Sequence, residues 1–274
     1  MNGIPKYKND EIINICNSDK KKALNMIAST CTGHPGGTLS CFEIIYTLFL
    51  NFIDITKNNI YSRNRNNFIL SKGHAAPTLY CVLNRLGIIS DNELYTYRQI
   101  GSRLQGHPEK TKLEAIDCST GSLGMGISVG CGMAIYHKNK KDEKKVYVLV
   151  GDGELQEGSN WEAILFSSHH KLDNLIVIVD NNGFQLDDKV NSILSLDSIE
   201  DKFISFGWET FSVDGHDVEA LVRCFGEIVT NNKPKCIICN TIKGKGINEF
   251  ENAVDWHSVS DCKKYKEIIH KYEN

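Results

Sequence analysis

Two polar turns, Gly151-Asp152-Gly153 and Asn181-Asn182, hold the residue types best suited to chemistry in this chain. Together they offer one carboxylate and one amide oxygen, both donors for a hard cation. Mg²⁺ prefers about six oxygens near 2.1 Å and commonly takes only one or two from carboxylates, so phosphates and water supply the rest. A second carboxylate at position 182 would repel those phosphates. Gly151 and Gly153 allow a sharp turn and a close approach of backbone N–H groups to an anion. Gly, Asp and Asn also favour ordinary strand-end turns, but the two turns together, about thirty residues apart, describe a metal-diphosphate cradle. Four histidines also lie in loop-like surroundings: His34 in Thr32-Gly33-His34-Pro35-Gly36-Gly37, His74 in Ser71-Lys72-Gly73-His74, His107 in Gly106-His107-Pro108-Glu109, and His257 in Asp255-Trp256-His257-Ser258. Imidazole titrates near neutrality, so such residues can donate to hydroxyls or move protons. A lone histidine is more often a turn residue packed on the surface; the recurrence is what points to a site.

These residues can meet only if the elements between them return the chain to one edge. Val146-Tyr147-Val148-Leu149-Val150 and Leu175-Ile176-Val177-Ile178-Val179 are rich in β-branched residues and lack polar alternation, as expected for parallel strands buried on both faces. The stretch from Asp152 to Asn182 suits a βαβ crossover, which predicts that the two residues sit side by side at the ligand-binding edge of an open α/β sheet. A helix over Asp19 to Ser29 is broken by the His34 loop, and Ser40-Cys41-Phe42-Glu43 has the capping-box pattern of another helix start. Phe68-Ile69-Leu70 reads as a short strand ending at the His74 loop, with a helix from Ala75 to Leu86 behind it. Cys236 to Ile242 is strand-like, Lys141 to Lys145 reads as a solvated charged turn, and Tyr265 to Asn274 has the look of a terminal helix. The expected fold is α/β, a mostly parallel sheet with helices on both faces, in a single domain over residues 1–274.

Composition narrows the classes. With 274 residues and 41% hydrophobic content the chain can bury a large core. Lys plus Arg number 31 against 34 Asp plus Glu, a net charge of −3, and no dense basic stretch is interleaved with aromatics, which argues against nucleic acid. The start, Met1 to Asp10, has no apolar signal core, and the longest apolar stretch, Ile44 to Ile53, is too short to cross a bilayer; no membrane and a cytoplasmic location are expected. Ten cysteines do not form the pattern of a disulfide framework or a zinc site. Cys236 and Cys239 lie three apart on a strand and face opposite sides, so a buried structural role and reduced thiols are expected.

The glycines of Gly121-Ser122-Leu123-Gly124-Met125-Gly126-Ile127-Ser128-Val129-Gly130 raise a dinucleotide-binding alternative, but a Gly-x-Gly-x-x-Gly fingerprint from Gly124 needs glycine where Val129 stands, and no Walker-type motif is present. Close helix packing through Gly126 and Gly130 is the plain structural reading. Taken with the Gly-Asp-Gly and Asn-Asn turns, however, the run resembles that of the thiamine-diphosphate enzymes, and within them the chain is similar to the N-terminal subunit of a split transketolase from about residue 10 to 260. The resemblance implies that Asp152, the Asn182 side chain and the Phe184 carbonyl hold Mg²⁺ (or Ca²⁺ or Mn²⁺), that Gly153 gives a backbone N–H to the diphosphate, and that Gly151, Gly121 and the backbone at Leu123 line the cofactor. Ser122 and Met125 depart from the Pro and Gln of the family's Thr-Gly-Pro-Leu-Gly-Gln-Gly segment. By the same likeness His34, His74, His107 and His257 line a sugar channel, with His74 also at the cofactor; Trp256-His257-Ser258 departs from the family's Ser-His-Gly. Glu157 and Glu162 match glutamates at a subunit contact, although Ser159-x-x-Glu162 also reads as a helix-capping box.

Thiamine diphosphate acts as an electron sink while a C–C bond breaks. Transketolases activate it with a glutamate on a second, pyrimidine-binding domain, which no segment here supplies. The resemblance therefore implies a C-terminal partner subunit carrying that domain and glutamate, two copies of each subunit, sugar substrates, and transfer of a two-carbon ketol unit from ketose to aldose. Two alternatives stand beside it: a 1-deoxyxylulose-phosphate-synthase-like component that condenses pyruvate, against which the Glu154 to Gly158 segment and the short length argue, and a non-catalytic cofactor-binding regulatory module.

Overall fold

The computed structural model describes residues 6–62 and 65–273. Met1 to Pro5, part of the stretch read as lacking a signal core, and Asn274, the last residue of the expected terminal helix, lie outside them. Five parallel strands form the sheet: β1 (Asn67–Leu70), β2 (Val146–Gly151), β3 (Leu175–Asn181), β4 (Glu209–Asp214) and β5 (Lys235–Asn240), in the spatial order β1-β2-β3-β5-β4. β2 and β3, which the apolar runs predicted, are wholly buried apart from Asn181. By contrast β4 is a half-exposed edge strand of sequence Glu-Thr-Phe-Ser-Val-Asp, with no apolar run to announce it.

Eleven α-helices among the described residues surround the sheet, beginning with α1 (Asn9–Thr30), α2 (Pro35–Ser40), α3 (Phe42–Asn51), α4 (Ala76–Arg85) and α5 (Asp91–Leu94). Then come α6 (Gly126–Lys140), α7 (Gly158–His169), α8 (Val190–Ile193), α9 (Ile199–Ser205), α10 (Val218–Gly226) and α11 (Cys262–Glu273). Strand alternation splits the core in two. Tyr147, Leu149, Ile176, Ile178 and Ile237 pack with α1, α3, α4, α10 and α11 on one face. Val146, Val148, Val177, Val179 and Ile238 pack with α6, α7 and α9 on the other. Cys236 and Cys239 fall on opposite faces, both fully buried, as their spacing required. No helix among the described residues is long and apolar enough to cross a membrane.

Three local expectations are corrected. Neither capping box forms: Ser40 closes α2 and its hydroxyl bonds Asp180 at 2.5 Å, while Glu43 is taken by Lys20 and His216. Likewise α7 starts at Gly158 with Glu157 as its N-cap residue, and the Ser159 hydroxyl donates to Gly124 O at 2.9 Å. In each case a tertiary partner competes successfully for a short polar side chain that could have capped its own helix. Finally, Cys31 and Cys262 are disulfide-bonded, with Cα atoms 5.2 Å apart, although 231 residues separate them in sequence; sequence spacing alone could not pair them.

Candidate functional site

The C-terminal ends of β1, β2, β3 and β5 open on one edge, and the adjacent parallel pairing of β2 with β3 sets Gly151 opposite Asp180. Asp152 and Asn182 are thereby neighbours, as the crossover length predicted. Asp152 is 2% exposed; its Oδ1 accepts from the Gly153 N–H at 2.8 Å and its Oδ2 from the Gly183 N–H at 2.6 Å. Gly183 has φ 77, a left-handed turn that suits glycine. Asn182 Oδ1 accepts from the Phe184 N–H at 3.0 Å, while Nδ2 lies 3.4 Å from Asp180 Oδ2. That contact assigns the two ends of the Asn182 amide, leaving its oxygen as the acceptor.

Burial, followed by the nearby Asp180 charge, raises the Asp152 carboxyl to about 6. No ammonium or guanidinium forms an ion pair with it among the described residues. A buried carboxylate beside an amide oxygen and without a cation partner is a donor set that fits a divalent metal. The anion side fits as well. Lys243 is 1% exposed, its Nζ donates to Gln185 O at 3.2 Å and lies 3.4 Å from His257 Nδ1, and it has no acidic partner within ion-pair distance among the described residues. Burial, then Lys72, lowers its pKa to about 8, the condition of a buried cation that a phosphate would relieve.

Beneath the cradle lies a buried pair that sequence reasoning missed. Lys72 and Asp180, 1% and 0% exposed, form a close ion pair; Asp180 also accepts from the hydroxyls of Ser40 and Thr241. Burial is the largest single influence and opposes both charges, yet the ion pair and the surrounding hydrogen bonds together outweigh it, raising the Lys72 pKa and lowering that of Asp180. The Lys in Ser-Lys-Gly-His and the Asp before Asn-Asn were visible in sequence, but only the meeting of the ends of β1 and β3 across β2 gives them this role. Glu154 is a second missed carboxylate: it is 3% exposed, accepts from Ser71 Oγ and the N–H groups of Gly124 (2.9 Å) and Gly151 (3.2 Å), and so ties the glycine loop to the Gly-Asp-Gly turn.

All four predicted histidines converge. Ring centroids of His34 lie 5.4 Å from His74, 6.3 Å from His107 and 5.3 Å from His257, and His74 lies 5.7 Å from His257. His34 Nδ1 is buried without a partner. Burial lowers His34 to about 3 and His257 to about 4, and also lowers His74 and His107, so the cluster is uncharged at neutral pH. Gly121, at φ 143, packs against the His107 ring. Two histidines outside the cluster have structural work: His216 bonds Glu43 at 3.0 Å and accepts the Ile242 N–H at 2.9 Å, and His137 lies between Asp142 and Asn67.

The remaining assignments differ in detail. The Gly153 N–H, expected to face a diphosphate, is engaged by Asp152. Leu123 is exposed near the cradle, and Gly126 and Gly130 do permit close packing, since a Cβ at either would lie 2.3 Å from Ser71 Oγ or 2.7 Å from Val148 Cγ2. Glu157 and Glu162 are placed at the start of α7, both exposed.

A doubly covered parallel sheet whose strand ends gather a carboxylate-amide pair, a buried lysine and four neutral histidines is the architecture of a cofactor-binding α/β enzyme component. The chain belongs to the family described as transketolase, thiamine diphosphate binding domain, whose model matches residues 13–268. It is 36% identical over 253 residues to one subunit of the apulose-4-phosphate transketolase of Phocaeicola vulgatus, covering 92% of this chain and 90% of that one. It is 41% identical over 239 residues to the transketolase of Homo sapiens, covering 87% of this chain but 38% of that protein. Its fold matches the crystal structure of transketolase from Campylobacter jejuni with a TM-score of 0.86 at 28% identity, over 96% of this chain and 42% of that one. The chain thus spans about two fifths of full-length transketolases and nearly all of the Phocaeicola vulgatus subunit.

Proposed function

We propose that this chain is the diphosphate-binding subunit of a two-component transketolase, a single domain that moves a two-carbon ketol unit from a ketose to an aldose together with a C-terminal partner subunit. The observation that carries the reading is the convergence of four neutral histidines beside the cradle. Asp152, Asn182 and the Phe184 carbonyl would hold Mg²⁺ or a similar divalent ion. Lys243 and the Gly153 N–H, released by Asp152, would meet the diphosphate, and Gly121, Leu123 and Gly151 would flank the cofactor. Thiamine diphosphate, when bound, supplies the electron sink that allows a C–C bond next to a carbonyl to break. His34, His74, His107 and His257, being neutral, would donate to sugar hydroxyls and accept protons from them, whereas charged imidazolium could only donate. Buried, and then crowded by Lys72 and Lys243, the cluster resists protonation and so keeps that capacity.

The partner would contribute the pyrimidine-binding domain and its activating glutamate, with Glu157 and Glu162 at the contact and two copies of each subunit; neither glutamate is buried within this chain, which supports that placement. The Phocaeicola vulgatus relative is named as one subunit of its enzyme, which supports both the split arrangement and a phosphorylated sugar. Neither pyruvate condensation nor a non-catalytic role gains comparable support from the relatives. Eight unpaired cysteines, most of them buried, are compatible with a cytoplasmic site of action. The test is to purify the chain with and without its partner, then to measure ketol transfer across ketoses and aldoses with phosphate, sulfonate or neutral tails, apulose 4-phosphate included. Transfer is expected only from the pair; transfer by the chain alone would overturn the two-component reading, and pyruvate-dependent release of CO₂ would overturn the reaction.

A further inference from the structure

Neither the metal cradle nor the diphosphate explains Arg98. Its backbone sits at φ 57, in the left-handed region that a long side chain seldom adopts, and its N–H donates to Leu104 O at 2.8 Å. The side chain turns inward from there. Nη1 donates to Thr32 Oγ1 at 2.8 Å and Nε to Tyr97 Oη at 3.1 Å. Thr32 stands two residues before His34. On the other side, a Cβ at Gly106 would lie 2.7 Å from Arg98 Nε and 2.8 Å from Cζ, so the residue before His107 has no side chain because the guanidinium occupies that space. The His107 loop is held further by Tyr80, whose hydroxyl donates to Gln105 O at 2.8 Å and lies 3.3 Å from His107 O.

The charge is as specific as the geometry. Arg98 forms no ion pair with a carboxylate among the described residues, so its field is not cancelled by a near neighbour. The groups that face His34 are His74, His107, His257, Arg98 and Lys72; those that face His107 are His34, His74 and Arg98. Behind burial, Arg98 is the cause that lowers His107, and it acts in the same direction on His34. A guanidinium stays charged throughout the working range of an enzyme, so this influence does not switch off.

The geometry points to Arg98 as a positioning residue that clamps the His34 loop to the His107 loop and, together with burial, keeps the His107 imidazole neutral, able to accept as well as donate a proton. That it serves ketol transfer rests on the function proposed above; the clamp and its field do not. The two claims separate experimentally. Histidine Cε1–H signals of the chain alone are followed by NMR across acid and neutral pH, with His107 identified by its loss in His107→Gln. Arg98→Met is expected to raise the His107 midpoint by about half a unit or more, and Arg98→Lys, which keeps the charge, to restore most of the shift. Gly106→Ala, which expels the guanidinium from its place, is expected to raise the midpoint as Arg98→Met does, and Arg98→Gln serves if the Met variant does not fold. In the assembled enzyme the acid limb of kcat/KM should move upward in Arg98→Met by the same amount. An unchanged His107 midpoint in the neutral variants, or no rescue by lysine, overturns the proposal whatever happens to activity. A shifted midpoint without any ketol transfer by the wild-type pair would instead remove the transketolase reading and leave the clamp standing.

Discussion

Lys72→Met tests the cradle's foundation, because it removes one member of an ion pair that is almost wholly out of solvent. Breaking such a pair typically costs about 3–5 kcal/mol, since the remaining charge stays buried without its partner. Asp180 keeps two hydroxyl donors, Ser40 at 2.5 Å and Thr241. Hydrogen bonds to a charged group contribute about 1.5–3 kcal/mol each, so the loss should fall near the lower end, about 3 kcal/mol. Asp180→Asn should cost at least as much, because Lys72 then has no carboxylate within ion-pair distance among the described residues, keeping Ser40 at 3.4 Å and an amide oxygen in place of the charge. The double variant should cost less than the two single losses added, by about 2 kcal/mol, the scale of coupling between groups in direct contact. Urea unfolding of the four proteins, followed by far-ultraviolet circular dichroism and tryptophan fluorescence to check that the transitions coincide, measures each term. A loss below about 1 kcal/mol for Lys72→Met, or simple additivity of the two substitutions, would falsify the view that this pair supports the strand ends.

Asp152→Asn removes the carboxylate of the proposed ligand set, and Mg²⁺-dependent binding of thiamine diphosphate, measured by calorimetry, should weaken by at least about 100-fold; equal binding with and without the substitution would remove Asp152 from the site. Acid should destabilise the chain through its histidines. His34 and His257 have folded pKa values lowered to about 3 and about 4, so between there and pH 6.5 the unfolded chain binds more protons; their contribution is complete above about 6.5 and is lost as pH falls. After allowance for partial solvent screening, His257 contributes on the order of 2 kcal/mol, and His257→Gln should flatten the fall in urea midpoint between neutral and acid conditions; an unchanged slope refutes this. Gly130→Ala gains about 1 kcal/mol of helix propensity but drives a Cβ to 2.7 Å from Val148, so overpacking of about 1–3 kcal/mol should leave a net loss, and a more stable variant would contradict the packing.

The sites divide by how far apart in sequence their partners lie. Gly151-Asp152-Gly153 and Asn181-Asn182 were legible because each directly follows a run buried on both faces, and the length between them fixes adjacent parallel strands. The histidine loops were legible as loops, from glycine and proline, but nothing local showed that the rings would come within 5.3–6.3 Å of one another. The capping boxes were misread for the converse reason: Ser40 and Ser159 have the right neighbours in sequence and better partners in space.

By itself, then, the sequence determined the strand runs, the turn chemistry at their ends, the opposite facing of Cys236 and Cys239, and the family. The first three follow from short-range periodicity and from backbone freedom at glycine, which act within a few residues; the family follows from the resemblance of the motif segments. Tertiary structure alone decided that Lys72 neutralises Asp180, 108 residues away, that Arg98 spans the loops of His34 and His107, that Cys31 pairs with Cys262, and that β4 exists as a polar edge. Burial is what makes the difference. A charge or imidazole acquires its protonation state from the solvent it has lost and the groups that face it, and both are set by chain segments that meet only when the sheet has formed.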